Sequence, residues 1–428
     1  MALTAARRYT ALFRQNAAIL VVCVATAISM AGQGIISPVL PLFAKEFGVG
    51  TTAIGFVVGV FGLSRLFLNL PSGMIGERFG RRLLMGGGLV LGAAGLFLTG
   101  TASSIVFMAL WRFVSGAGSA MYMTGAMSFI ADISTPGNRG RLMSLQQGSL
   151  LLGTDLGPII GGFVADTLGF RWPFYMAGML SGTAALWVML RLPEPRRAPD
   201  VTETATTPGP GIRQGWDMRA VGKLLTNPTF VLLSLFTMMV FFTRTGSRQT
   251  ILPILAVDRI GMSATHLGFL FTFMTTINLL LVLPAGALTD RFGRKAVIMP
   301  GALVTIAGLT LFALASNMWL FFAGGALLGV GTGMIGPAPA AYAGDLSPQG
   351  KTGVTMGLYR TFGDVGFIVG PILLGFIADT FRGRFTGIMG EGVAMEVNAA
   401  LILLTAVLLV FLGKETAGRR MSRGKGPA

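Results

Sequence analysis

One cysteine and one histidine in 428 residues leave almost nothing from which to build metal or thiol chemistry. Cys23 alone excludes an intramolecular disulfide and a cysteine metal cluster. With His266 as the only imidazole, the chain shows no His/Cys metal cluster and no histidine-based nucleophile pair; Ser or Asp chemistry stays open, but neither an enzyme nor a cofactor is expected. Charge is scarce as well. Charged residues make up 12% of the chain against 53% hydrophobic, too few to coat a water-facing surface. Only residues 193–227 form a long polar stretch, and the short loops elsewhere leave no room for an extramembrane domain. The alternating strands of roughly 9–11 residues that mark a transmembrane barrel are also missing.

What the chain does contain is apolar runs of roughly 17–25 residues, the length that spans a bilayer core. They fall near 16–43, 52–76, 83–101, 104–131, 141–168, 172–192, 228–256, 265–289, 296–315, 318–344, 352–380 and 392–413, six on each side of the polar stretch. An all-α integral membrane protein with twelve transmembrane helices follows. The 62 glycines suit it, since small residues let membrane helices approach closely. The first run is far longer than a signal-peptide core of roughly 7–15 residues, and no A-x-A-like cleavage site follows it, so a retained first helix is expected.

The net charge of +16 raises a nucleic-acid partner, and the positions of the charges argue against one. With the N-terminus in the cytoplasm, 23 of the 33 Lys and Arg fall on the cytoplasmic side, five outside and five within helices. That is the positive-inside bias of membrane insertion. It predicts a multi-pass protein of the cell inner membrane with both termini cytoplasmic.

The chain also repeats itself. Residues 73–82 read GMIGERFGRR and residues 286–295 read GALTDRFGRK, an offset of 286 − 73 = 213. The same offset links GPIIGGFVAD from Gly157 with GPILLGFIAD from Gly370, and Asp132 with Asp345. Parallel repeats of membrane helices form two lobes around a substrate path. The expected domains are an N-terminal six-helix bundle over 1–192, a cytoplasmic linker over 193–227, and a C-terminal six-helix bundle with its tail over 228–428. Within the linker, residues 216–226 have the pattern of a short interfacial helix.

Both copies of the loop have the form G-x-x-x-[DE]-R-x-G-R-[RK] and lie between the second and third helix of their half. Glycines (Gly73, Gly80; Gly286, Gly293) allow a tight turn, and the acid (Glu77, Asp290) suits a neighbouring helix N-terminus. The basic residues (Arg78, Arg81; Arg291, Arg294) can reach Asp132 and Asp345 at the ends of the fourth helices. These residues resemble the signature loop of the major facilitator superfamily, and the resemblance covers essentially the whole chain. It implies two six-helix pseudo-symmetric bundles that rock about a central cavity, with the loop as a cytoplasmic gate. Glu77 stands where the family usually has Asp, which keeps the charge and lengthens the reach.

From Gly148 the chain reads GSLLLGTDLGPIIGG. Gly153, Gly157 and Gly161 fall at i, i+4, i+8 as a packing stripe, with Pro158 adding a bend and Gly162 completing the pattern. This stretch resembles the fifth-helix antiporter motif of drug:proton antiporters. ALWRFVSGAGSAM at 109–121 resembles their fourth-helix motif, and PVLP at 38–41 is similar to the end of their first helix. The resemblance implies export by exchange with protons.

Seven ionisable residues fall within expected helices, each costing roughly 2.5–3.5 kcal/mol or more at the bilayer centre, so they should face a cavity or one another. Asp155 lies two positions from both Gly153 and Gly157, roughly 200° around the helix from the stripe, and is the candidate proton carrier. Arg112 is its natural partner, either as a switch or as a permanent ion pair that orients the helices. Arg360 and Asp364 share i, i+4 spacing and can pair locally or take part in coupling. Arg244 and Arg248 have the same spacing but like charge, which suggests an acidic substrate, a lipid phosphate or an acid on another helix. Arg65, Asn69, Gln33, Gln146, Asn278 and Tyr359 are further candidate cavity residues.

Intramembrane charge sums to five Arg against two Asp, which favours neutral or anionic amphiphiles. The expected function is alternating-access secondary transport, with proton-coupled multidrug-type export leading. Export or flipping of anionic substrates or lipids, and proton-coupled uptake, remain open. Expected partners are a small-molecule substrate, protons and membrane lipids, with a monomeric chain and no nucleic acid.

Overall fold

The computed structural model describes residues 2–134, 138–194, 218–348, 351–382 and 389–416. The first half holds α1 (Ala2–Ile36), α2 (Leu40–Lys45), α3 (Thr51–Phe79), α4 (Arg81–Gly100), α5 (Ile105–Ile133), α6 (Arg139–Leu168) and α7 (Trp172–Arg191). A short α8 (Met218–Leu225) follows, a helix within the expected 216–226 stretch, whose Trp216 lies outside the described residues. The second half holds α9 (Pro228–Phe242), α10 (Leu252–Ile260), α11 (Ala264–Phe292), α12 (Arg294–Leu314), α13 (Met318–Ile335), α14 (Ala338–Asp345), α15 (Thr352–Phe381) and α16 (Gly390–Leu412). Among the described residues, twelve helical segments are long and apolar enough to cross a membrane. The chain is a multi-pass membrane protein.

Helix starts follow local chemistry. Ser104, Ser263 and Asn317 each accept from the backbone N–H three residues on, and Asn227 accepts from Thr229 and Phe230. These caps satisfy donors that have no intrahelical partner. Two expected helices are interrupted, and a third changes its winding. The first breaks over residues 37–39, where Pro38 offers no N–H and turn bonds (Ser37 to Gly34, Val39 to Ile36) replace the helical ladder. The tenth breaks at Gly336–Pro337 for the same reason.

The seventh is continuous but not uniform. Between α9 and α10 the backbone runs through a π-helical segment, Thr243–Ile251. Apolar periodicity cannot distinguish this widened turn from the α-helix on either side, which is why a single helix was expected.

The chain divides into two compact units, residues 1–40 with 60–209, and residues 41–59 with 210–428. In the first, α4 packs on α5 and α7, while α1 packs on α6 and α7. In the second, α12 packs on α13 and α16, while α9 packs on α15 and α16. Shifted by the repeat, these are the same pairings. The core of the first unit is built from Val22 and Ala25, Met85 and Leu89, Tyr122 and Phe129, and Ala184 and Val188. Outward-facing Leu20, Phe67, Val106, Leu156, Phe163 and Leu190 are exposed, as a lipid-facing surface requires. Residues 41–59 differ from the expected 1–192 grouping because the start of α3 is bonded to α15.

Candidate functional site

At the repeated loops the backbone turns through Gly80 (φ +97°) and Gly293 (φ +103°), a region other residues rarely enter. Each turn launches the next helix with its basic pair at the first turn. Arg81 Nε donates to Asp132 Oδ2 at 3.1 Å, and Arg294 Nε donates to Asp345 Oδ2 at 3.1 Å. The first pair is the more open, with side-chain exposures of 17% and 41% against 9% and 16% for the second. Glu77, Arg78 and Arg291 are exposed, and the Arg78 and Arg291 guanidiniums lie over the rings of Phe79 and Phe292. Gly73 is buried, Gly286 is half-buried, and the Asp290 side chain lies outside the described residues.

Two acids that the sequence reading missed complete these clusters. Glu194 accepts from the backbone N–H groups of Arg81 and Arg82, at 2.6 and 3.1 Å. Glu415 accepts from those of Arg294 and Lys295, at 3.2 and 3.1 Å. Each carboxylate therefore sits at a helix amino end, where unpaired donors and the helix dipole favour it. Thr416 Oγ1 adds a bond to Asp345. Around the rest of each cluster, Arg82 donates to the Met189 carbonyl, and Lys295 donates to those of Val410 and Gly413.

The glycine stripe of α6 faces α1. A β-carbon at Gly157 would lie 2.5 Å from the Gly34 carbonyl carbon, and those at Gly153 and Gly161 would collide with the carbonyls of Ala27 and Ile35. Gly148 opens onto free space, and Pro158 and Gly162 are buried within α6. One repeat later, Gly366 and Gly370 of α15 press on the backbone of Met238 and Phe242 in α9.

Among the intramembrane charges, Arg112 is the most enclosed, 5% exposed on α5. Its guanidinium carbon stands 4.6 Å from the centroid of Phe61 in α3, and its Nε and Nη1 donate to nothing. Gly116, one turn on, has Phe61 and Ser64 against it, which sets how closely α5 meets α3. Asp155 is 9% exposed on α6. Nearer the loop end of the same helix, Gln146 is 3% exposed, and its Nε2 also lacks a partner. Arg65, Asn69 and Gln33 are half-buried.

In the second unit, Arg244 and Arg248 both lie in the π segment, Arg244 exposed and Arg248 half-buried with its guanidinium 5.4 Å from the centroid of Phe271. Beside them is a polar cluster absent from the sequence reading. Asn398 of α16, fully buried, donates to Thr243 Oγ1 at 3.0 Å and Ser247 Oγ at 2.7 Å. Gly246 lets the segment lie against α15, since a β-carbon there would be 2.8 Å from the Gly370 carbonyl. Asn278 donates to Thr332 Oγ1 at 3.0 Å, Tyr359 is buried, Arg360 is exposed and Asp364 is half-buried.

Comparison with known proteins agrees with this layout. The Major Facilitator Superfamily model matches residues 22–255 and 240–427. The quinolone resistance protein NorA of Staphylococcus aureus is 24% identical over 349 residues, 81% of this chain and 86% of NorA. Multidrug resistance protein 1 of Bacillus subtilis is 24% identical over 353 residues, 82% of this chain and 87% of that protein. Among solved structures, a bacterial homologue of the human lysosomal transporter Spinster superposes with a TM-score of 0.80 at 16% identity, covering 97% of this chain and 99% of its own. A D-xylose–proton symporter gives a TM-score of 0.73 at 16% identity, covering 94% and 98%. These structures share the fold. Duplicated loops, matching helix pairings and the family model lead to one statement: the chain belongs to the major facilitator superfamily and is a membrane transporter of small-molecule substrates, not an enzyme.

Proposed function

We propose that the protein exports amphiphilic small molecules by alternating access, driven by inward movement of protons across the cell inner membrane. The motif loops and both termini are read as cytoplasmic, on the distribution of basic residues. The observation that carries this reading is Arg112. A guanidinium 5% exposed and stacked on Phe61, with two N–H groups unpaired, is costly in a low-dielectric interior. That cost is understandable if a carboxylate approaches it in another state of the cycle. Asp155, 9% exposed on the next helix, is that carboxylate. A carboxylate that meets this guanidinium in one state and leaves it in another can release and bind a proton as the state changes. The resemblance of NorA and multidrug resistance protein 1 supports export of this kind. The test is uptake of a fluorescent amphiphile into inverted proteoliposomes under an imposed pH gradient. Asp155→Asn should retain substrate binding but lose the gradient-driven component, and unchanged gradient-driven transport would remove the assignment.

A second reading, preference for anionic amphiphiles or lipids, is favoured by the π segment. Such segments often accompany functional sites, and this one carries two cations, Arg244 and Arg248. Arg244→Ala should impair acidic substrates more than cationic ones, and equal loss of both would count against it.

A further inference from the structure

The start of α3 is built in a way that the other well-capped helices are not. Ser104, Asn227, Ser263 and Asn317 each supply their helix with a side-chain oxygen. The residue before α3 is Gly50, which has none, although its counterpart 213 positions later is Ser263. The cap is instead borrowed from the far end of α15. Asp379 Oδ1 accepts from the Thr51 N–H at 2.8 Å, and Asp379 Oδ2 accepts from the Thr52 N–H at 2.8 Å and the Thr52 hydroxyl at 2.6 Å. Gly50 makes room for this, since a β-carbon there would lie 2.7 Å from Asp379 Oδ2.

The arrangement is reinforced around and below the carboxylate. Arg382 donates from Nη2 to Thr51 Oγ1 at 3.1 Å and to Glu391 Oε1 at 3.0 Å, and stands 3.8 Å from Asp379 Oδ1. Burial acts to lower the Arg382 pKa, but the Glu391 bond and the charges of Glu391, Asp379 and Asp258 raise it above its ordinary value. Lys45 of α2 pairs with Asp258 of α10 on the same face. Below the carboxylate, α3 and α15 meet through glycines. A β-carbon at Gly55 would collide with the Pro371 carbonyl, one at Gly59 would lie 2.8 Å from the Ile368 carbonyl, and one at Gly375 would lie 2.5 Å from the Thr51 carbonyl. This seam has no side chains of its own to interlock at these positions. Asp379 supplies three directional bonds across it.

We infer that Asp379 is the outer latch of the transport cycle: its carboxylate holds the amino end of α3 against α15, and release of those three bonds lets α3 leave and opens this face to the outside. The inference rests on the alternating-access reading. When α3 departs, two backbone donors and the Thr52 hydroxyl lose their acceptor together, so the joint opens as a unit rather than by gradual slippage. A carboxylate at a helix amino end gains from both hydrogen bonds and dipole, so charge as well as shape sets its strength.

The test uses Ile372→Cys, at a side chain that reaches to Gly59, in a Cys23→Ser background. Labelling by a membrane-impermeant maleimide from outside intact cells reports separation of α3 from α15. Asp379→Asn keeps the size and removes the charge, and should raise the labelling rate about tenfold, the scale of one charge-assisted hydrogen bond. Thr52→Val removes only the hydroxyl donor and should give a smaller rise in the same direction. It decides the matter alone if the Asp379 variant fails to accumulate. Gly55→Leu, a wedge in the seam, should raise labelling regardless of the latch. If the wedge raises labelling while Asp379→Asn and Thr52→Val do not, the seam moves but Asp379 is not its latch. If neither the wedge nor the latch variants alter labelling, both the latch and the alternating-access reading beneath it fall.

Discussion

Arg294 donates from Nε to Asp345 at 3.1 Å, and 213 residues earlier Arg81 donates to Asp132 at the same distance. The duplication of geometry is not a duplication of strength. Asp132 is 41% exposed and Asp345 16%, so water competes far more effectively for the first pair. Asp345 also accepts from Thr416, a bond that ties the start of the tail to the loop. Asp345→Asn should cost about 1–2 kcal/mol and Asp132→Asn less than about 1 kcal/mol. Thermal unfolding of the purified protein in detergent measures both, and equal shifts would show that exposure does not separate the two clusters.

Glu194 and Glu415 should behave as helix caps, because each bonds two backbone N–H groups. Replacing either with Gln keeps an acceptor but removes the charge, a loss of about 0.3–1 kcal/mol at a helix amino end. Replacement with Leu leaves two donors of α4 or α12 without their partner and should cost about twice as much or more. Retention of full thermal stability in Glu194→Leu and Glu415→Leu would show that water replaces the carboxylates without loss.

The way these clusters divide between legible and hidden has a physical reason. Arg81–Asp132 and Arg294–Asp345 keep one fixed offset because the two partners stand 51 residues apart in each half, so register alone exposes them. The capping acids stand at 415 − 194 = 221, eight positions off that register. Yet each lies three residues beyond the last residue of its helix, Arg191 and Leu412. Counting from helix ends rather than from the first motif would have found them. The π segment left no such trace. Thr243, Ser247 and Asn398 read as isolated polar residues in apolar runs, and only their meeting in space makes them a cluster. Twelve spans, by contrast, were plain, because length and apolarity are fixed by the bilayer itself.

Packing along α6 gives a prediction with an internal control. Gly157 and Gly148 are both motif glycines, but only Gly157 faces the backbone of α1. Gly157→Val must push α6 from α1 and should cost about 3 kcal/mol, enough to empty the monodisperse peak in size-exclusion chromatography. Gly148→Ala meets open space and should change the folded yield little. A folded Gly157→Val at wild-type yield would mean that the α1–α6 approach tolerates more room than its geometry shows.

Asn398 links the widened turn of the seventh span to α16, and the consequence for substrate choice can be separated from the consequence for stability. Its amide gives both protons away, to Thr243 and Ser247, and those two residues flank Arg244 and precede Arg248 on the same segment. Removing the amide frees the segment to rewind towards α-helical geometry, which would turn the two guanidiniums relative to Phe271. Asn398→Leu should therefore cost about 2 kcal/mol in thermal unfolding, since two buried hydroxyls lose an acceptor or donor. It should also lower transport of acidic amphiphiles by more than it lowers that of neutral ones of equal size. Asn398→Asp separates the two effects. It retains an acceptor for both hydroxyls but places a negative charge near the arginines, so stability should recover in part while acidic substrates remain excluded. Equal transport of acidic and neutral amphiphiles in both variants would disconnect the π segment from charge selection and leave it a purely structural joint.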